Sequence, residues 1–366
     1  MKGELFYRLA LNFVPGITNA CIKKLIQTFG TAEQIFHTPQ EKIQKTQKTK
    51  IPEIRLDHEL IKQAEAEIQF MEKKGIKICF FDDMDYPKRM LLCSGNPNLF
   101  FYKGEPLFGE ERYLSIVGTR DATSYGMDVV HKMVSEIAPY NPIIVSGLAI
   151  GIDTIAHEAA LQNGLKTIGI MGSGFGRFYP ASNYKLAQRM LESKGTIISE
   201  FVYQTLPDKP NFPKRNRLIA SISDATLVIE TKMKGGSVIT ANMASLYKRK
   251  VFAIPGSIFE PHQTGCNALI KSGFAEMISS GEEIVESMGW NRTSPEYIQP
   301  KLFLDLTKEQ ELIYDIIQIK GQISIDELTA NAPHFSSSKI AGLLLQLEFQ
   351  GLIECRPGKI YRLIRR

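Results

Sequence analysis

The 366-residue sequence has little cysteine, and what it has is scattered: Cys21, Cys79, Cys93, Cys266 and Cys355 are odd in number and never form a C-x-x-C pair. That spacing excludes a disulfide framework and a zinc ribbon and leaves buried, reduced thiols as the expectation. Long apolar runs are missing too, and the opening Met1-Lys-Gly-Glu-Leu-Phe-Tyr-Arg8 carries charges where a signal peptide would be greasy. No membrane span is expected, and the chain reads as cytoplasmic. Nor is there much excess charge of one sign, since 44 Lys and Arg face 39 Asp and Glu for a net +5. A polyanionic partner is allowed by that balance without being demanded by it.

Several catalytic signatures are also absent. There is no G-x-x-x-x-G-K-[ST] loop for a nucleotide triphosphate, and Ser173, held between Gly172 and Gly174, is not in a G-x-S-x-G elbow. His157-Glu158 would open a zinc-peptidase helix only with histidine at 161, where Leu161 stands. Asp153 and His157 lie four apart on one expected helix. They lack further ligands at metal spacing, and Asp153 in a first helical turn reads as a structural anion near unpaired amides.

What is present has an order. Residues 1–75 read as a small helical module, with apolar residues at helical spacing broken by the turn Val14-Pro15-Gly16-Ile17-Thr18, which resembles a helix-hairpin-helix. Residues 76–290 switch to short β-rich runs between amphipathic helices: Tyr113–Val117, Ile143–Val145, Thr167–Met171, Thr196–Ser199, Ala225–Glu230 and Val251–Ile254. This is the signature of βαβ units, and it predicts a Rossmann-like, doubly wound, mostly parallel α/β sheet of about six strands. A polar stretch over 291–304, containing Pro295 and Pro300, predicts a linker. Residues 305–366 read as three helices, each opened by Ser or Thr, then two strands joined at Pro357-Gly358, a winged-helix pattern.

In open α/β sheets ligands sit beyond the carboxyl ends of the strands, so the residues after each run carry the information. They are Gly118-Thr119-Arg120, Ser146-Gly147 and Gly172-Ser173-Gly174-Phe175-Gly176-Arg177. Small residues let a backbone approach a phosphate, while helix N-terminal amides and the arginines supply positive potential. Asn211-Phe212-Pro213-Lys214-Arg215-Asn216-Arg217 adds cations and an aromatic at the same edge, and Gly236 and Ser237 offer further amides. Aromatics interleaved with Arg177, Lys185 and Arg215 are the mixture single strands use for stacking and charge. The first turn lacks G-x-G-x-x-G, which disfavours a nicotinamide cofactor; no cofactor is expected.

From Tyr86-Pro87 to Gly273 these motifs resemble, in order, the DNA-processing protein A family (DprA, also called Smf). The resemblance rests on Ile116-Val117-Gly118-Thr119-Arg120, Ser146-Gly147-Leu148-Ala149-x-Gly151-Ile152-Asp153, Tyr179-Pro180-x-x-Asn183, Phe212-Pro213-x-Arg215-Asn216-Arg217 and Gly236-Ser237-x-Ile239-Thr240-Ala241. It implies a homodimerising core that binds single-stranded DNA and loads the RecA recombinase during natural transformation, with no catalytic reaction. It further implies phosphate contacts from Arg120, the Ser146-Gly147 turn, Lys185, Arg215 and Arg217. Two departures stand out: Ala181-Ser182 after Tyr-Pro, where the family often carries a cation, and Gly235-Gly236-Ser237 in place of Ser-Gly-Ser.

Two rival classes are carried forward. One is a nucleotide-binding enzyme that hydrolyses N-glycosidic bonds with Glu200 or Glu230 as the acid, although the Pro-Gly-Gly-x-Gly-Thr loop of such enzymes is replaced by Lys234-Gly235-Gly236-Ser237. The other is a duplex-binding regulator acting through the winged helix, whose Arg356, Lys359, Arg362, Arg365 and Arg366 could meet a DNA backbone.

Overall fold

The structure is a computed structural model and describes residues 2–46, 50–109, 112–291, 307–332, 334–349, 352–356 and 359–363. The chain divides into two compact units, Met1–Ser294 and Pro295–Arg366.

The first unit begins with five helices, α1 (Glu4–Phe13), α2 (Asn19–Phe29), α3 (Ala32–His37), α4 (Gln40–Gln44) and α5 (His58–Lys74). Their ends are marked in the sequence. Thr18 accepts from the Cys21 amide to cap α2, and Asp57 accepts from the Leu60 amide to cap α5. Gly75, in the left-handed region at φ +61°, closes α5 where a side chain would be strained. These helices are not a separate appendage: Phe6, Leu9, Ala10, Ala64 and Met71 form one buried cluster with Leu99 and Phe101 of the neighbouring sheet. Arg8 adds a two-pronged pair to Asp82 at 2.6 and 2.7 Å.

The sheet has nine strands: β1 (Lys77–Phe80), β2 (Leu99–Gly104), β3 (Tyr113–Val117), β4 (Ile143–Ser146), β5 (Thr167–Ile170), β6 (Thr196–Ser199), β7 (Ala225–Val228), β8 (Lys250–Ala253) and β9 (Glu276–Met277). Their order is β1-β2-β6-β5-β4-β3-β7-β8-β9, parallel from β6 to β9, with β1 and β2 antiparallel at one edge. The six expected runs are strands, and β1, β2 and β9 raise the count from six to nine. Every residue of β3 to β7 is buried, as a parallel sheet covered on both faces requires.

A short helix, α6 (Lys88–Leu91), precedes β2, and the crossovers follow: α7 (Ser124–Ile137), α8 (Ile152–Gln162), α9 (Tyr184–Glu192), α10 (Asn211–Ile222), α11 (Gly236–Leu246), α12 (Thr264–Lys271) and α13 (Gly281–Met288). Val130, Met133 and Val134 of α7, Ala156 and Ala160 of α8 and Ile284 of α13 share one core with Leu114, Ile116 and Leu227 of the sheet. Leu218 and Ile222 of α10, Ala241 and Ala244 of α11 and Leu269 of α12 share the other core, with Val117, Val145 and Val228. The sheet is thus doubly wound.

The second unit contains α14 (Lys308–Lys320), β10 (Gln322–Ser324), α15 (Ile325–Asn331), α16 (Ser337–Phe349), β11 (Ile353–Arg356) and β12 (Ile360–Leu363), with an antiparallel sheet ordered β10-β12-β11. Thr307 and Ser324 each form a reciprocal capping box, with Gln310 and Glu327. Of the expected linker all but Asn291 lies outside the described residues, as do Pro357-Gly358, Arg365 and Arg366. Four cysteines are buried, but Cys355 on β11 is exposed, because its strand is covered on one side alone.

Candidate nucleic-acid interface

The chain steps outward from β3 through β4 and β5 to β6, then returns to lay β7 on the other side of β3. The connections leaving β3 and β7 therefore run to opposite faces, and a crevice opens between them. It holds a cavity of about 460 Å³, lined by Gly118 to Asp121 after β3, Thr231, Lys232 and Lys234 to Ser237 after β7, and Phe212, Arg215 and Asn216 in the first turns of α10. That volume is in the range of sites that enclose one small organic group.

Arg215 is the centre of the crevice. It is 4% exposed, donates to the Ile170 carbonyl at 3.0 Å and lies 3.8 Å from the Asp153 carboxylate, and its Nε has no partner among the described residues. Burial pushes the Asp153 carboxyl up, with Arg215 and the Ala149 amide pulling it down, while burial lowers Arg215 against the pull of Asp153. A guanidinium keeps its proton in proteins, so the pair is a cation held off contact distance from its anion, with a donor to spare. Above it, the Arg120 guanidinium sits 5.1 Å from the centre of the Phe212 ring, which in turn meets Tyr179 at 6.1 Å. An exposed cation over an aromatic face, with a second ring alongside, is a platform on which a base can stack.

The far wall is the start of α11. Its N-cap, Gly235, supplies no side-chain acceptor, and the Ser237 hydroxyl, 5% exposed, has no partner among the described residues. Asn216 ties this wall to α10 by donating to the Gly236 carbonyl at 3.2 Å. Uncapped amides at the start of α11 thus border the cavity and can donate to an anion, with Arg215 and Ser237 also in its lining. Lys232 and Lys234 also line it, exposed. Sequence reasoning passed over both; the signal that could have found them is their place on the loop after β7, beside the β3 turn.

The other expected residues are placed differently. Gly118, Gly147 and Gly172 are small for internal reasons: a Cβ would meet Ile152 at 2.5 Å, the Arg215 guanidinium at 1.4 Å and the Phe212 ring at 2.9 Å respectively. Gly147 and Gly172 still border a second, smaller hollow shared by Arg120, Tyr179, Phe212 and Arg215. The Ser146 hydroxyl is buried and donates to the Ile116 carbonyl at 2.6 Å, so it is committed to the sheet. Gly174 is closed over by the backbone of Val202 and Tyr203 and lines neither hollow. Arg217 is paired with Glu200 and lines neither hollow. Arg177 and Lys185 are exposed and border neither hollow.

Of the possible acids and bases, Glu200 Oε1 and His157 Nε2 have no hydrogen-bond partner among the described residues, and neither residue lines the crevice. Glu230, 1% exposed, accepts from the Thr123 amide and hydroxyl at 3.0 and 2.6 Å and from Gln263 at 3.1 Å. Burial pushes Glu200 up while Arg217 pulls it down. Asp153 and His157 take separate partners: Thr167 gives its proton to the Ile144 carbonyl and accepts from His157 Nδ1 at 2.7 Å. Burial pushes His157 down to about 3, so the ring stays neutral.

Fold and crevice together define a class, the doubly wound α/β proteins with a crevice at the strand-order switch. Residues 77–289 match the profile of the DNA recombination-mediator protein A family, and the chain belongs to that family. It is 39% identical over 217 residues to the DNA processing protein DprA of Bacillus subtilis, covering 59% of this chain and 72% of that one. It is 32% identical over 310 residues to Protein Smf of Escherichia coli, covering 83% and 82%. Among solved structures it resembles DNA processing protein A from Streptococcus pneumoniae, with TM-score 0.64 at 32% identity over 78% of this chain and 98% of that one. It also resembles the Helicobacter pylori protein, whose structure was described for its single-stranded DNA binding mode, with TM-score 0.52 at 28% identity, covering 58% and 95%. Among the described residues no helix is long and apolar enough to cross a membrane.

Proposed function

We propose that the protein binds single-stranded DNA in the β3/β7 crevice. The strand's phosphates face Arg120, Lys232, Lys234 and the start of α11, and a base stacks at Phe212. The observation that carries this reading is a cavity lined by the uncapped start of α11 and the Phe212 ring and rimmed by the exposed cations Arg120, Lys232 and Lys234. Amides at a helix start and exposed cations receive a phosphodiester without regard to base sequence. Arg177 and Lys185, exposed beyond the cavity, extend the same positive edge along a strand. The Helicobacter pylori relative, whose structure was described for its single-stranded DNA binding mode, supports the choice of ligand.

In the fuller form of this reading the protein is a cytoplasmic homodimer that protects incoming DNA and loads RecA during transformation, as the family resemblance implies. It acts as a binding protein rather than a hydrolase, since Glu230 is bound to protein donors and Glu200, paired with Arg217, lies outside the crevice lining. A mobility-shift series with single- and double-stranded oligonucleotides at several salt concentrations tests it. Preferential, steeply salt-dependent binding of the single strand is expected; equal or stronger binding of duplex overturns it. Incubation with nucleoside monophosphates, watching for free base, tests the hydrolase alternative, and no release is expected.

A further inference from the structure

The crevice wall is not held by the sheet alone. Glu67, midway along α5, is 2% exposed, and both of its carboxylate oxygens lie 3.1 Å from one donor, the backbone amide of Tyr203. One turn on, the Phe70 ring stacks on the Tyr203 ring at 4.5 Å and 18°. Tyr203 belongs to the segment after β6, and that segment grips the loop after β5: the Gly176 amide donates to the Tyr203 carbonyl at 2.9 Å and the Gly174 amide to the Thr205 carbonyl at 3.0 Å. A Cβ on Gly174 would lie 1.9 Å from the Val202 carbonyl, so the two segments are packed backbone against backbone. The gripped loop begins at Gly172, whose Cα lies against the Phe212 ring.

A continuous set of contacts therefore runs from α5 to the aromatic platform. An acid is a costly way to fill a buried contact between a helix and a loop, and a leucine would pack there without desolvation. What a carboxylate adds is direction, because it fixes the height of one amide and hence of the segment that carries it.

We propose that α5 is a positioning element for the DNA cleft, with Glu67 and Phe70 setting Tyr203, the Tyr203 segment setting the Gly172–Arg177 loop, and that loop setting the Phe212 ring. This rests on the reading of the crevice as a single-strand site. It gives the N-terminal helices a role in binding that needs no contact between them and DNA.

The test uses the full chain, a fluorescent oligothymidylate and four variants. Glu67→Leu keeps volume and removes the acceptor, Glu67→Gln keeps an acceptor, Phe70→Leu removes the stack, and Arg120→Ala reports on the cleft itself. Glu67→Leu and Phe70→Leu are expected to weaken binding by about 3- to 10-fold, because the Phe212 ring is no longer held where a base stacks. Both variants lose a contact of the fold, so their thermal midpoints should fall modestly, and Glu67→Gln should restore parental affinity. If Glu67→Leu and Phe70→Leu bind like the parent while Arg120→Ala is weak, positioning by α5 is wrong and the cleft reading stands. If Arg120→Ala also binds like the parent, the cleft reading has failed and the proposal falls with it. Should Glu67→Leu not fold, Phe70→Leu, which carries no buried charge, decides between these outcomes.

Discussion

Two glycine-containing loops follow parallel strands of this sheet and have opposite fates. After β5, Gly172-Ser173-Gly174-Phe175-Gly176 has the denser glycine pattern, yet Gly174 and Gly176 are closed over by Val202 and Tyr203, and Ser173 donates to the Arg177 carbonyl at 2.7 Å. After β7, Gly235-Gly236-Ser237 opens on a cavity, and a Cβ on Gly236 would meet nothing within 4 Å. A glycine-rich turn makes room, and the room can be taken by the protein's own backbone or left for a ligand. Unpartnered donors separate the two cases: the β7 turn has one in Ser237, and the β5 loop spends its amides on the chain.

The comparison can be broken at its common neighbour first. Arg215→Met should have the largest effect, since it leaves Asp153 buried without its cation, at a cost of about 3–5 kcal/mol. Chemical denaturation should show it as a large fall in midpoint. Next come the loops themselves. Gly174→Ala forces two backbones apart and should cost about 1–3 kcal/mol, whereas Gly236→Ala should stay within about 0.5 kcal/mol of the parent. Equal losses would mean the β7 turn is as closed as the β5 loop. Ser237→Ala removes a buried hydroxyl that has no partner, so its thermal midpoint should hold or rise slightly while affinity for a single strand falls by about 3- to 10-fold. A drop in both would show that the hydroxyl serves the fold.

The smallest effect concerns the support behind the β5 loop. Burial pushes the Glu67 carboxyl up to about 7 from 4.5, the Tyr203 amide pulling the other way. A folded state that favours the neutral acid is most stable below the unfolded value and loses that advantage as pH rises through the folded one. Melting temperature should therefore decline from about pH 4.5 to pH 7 relative to Glu67→Gln, whose difference from the parent should level off above it. A constant difference across that range would remove the titration from Glu67.

Much of the fold was legible. Continuous Ile and Val runs marked β3 to β8 because strands buried on both faces need no polar alternation, and Thr307 and Ser324 marked helix starts by their capping geometry. β1, β2 and β9 were hidden because they are edge or antiparallel strands, partly exposed and flanked by polar residues. The site was legible as a place more than as a residue list. Arg120, Phe212, Asn216, Gly236 and Ser237 do meet at one cavity. That Arg215 is buried against Asp153, and that Arg217 is occupied by Glu200, depends on partners distant in sequence. Lys232 and Lys234 look like any solvated loop lysines until the topology sets β7 beside β3.

The salt dependence of binding tests the central claim most directly. The affinity for a labelled oligothymidylate should be measured between about 50 and 200 mM salt for the parent and for the combined Arg120→Ala, Lys232→Ala, Lys234→Ala variant. Each lost phosphate contact on a single strand should flatten the log–log slope by about 0.7, so a loss of about 2 is expected with all three cations removed. An unchanged slope would place the DNA elsewhere on the molecule.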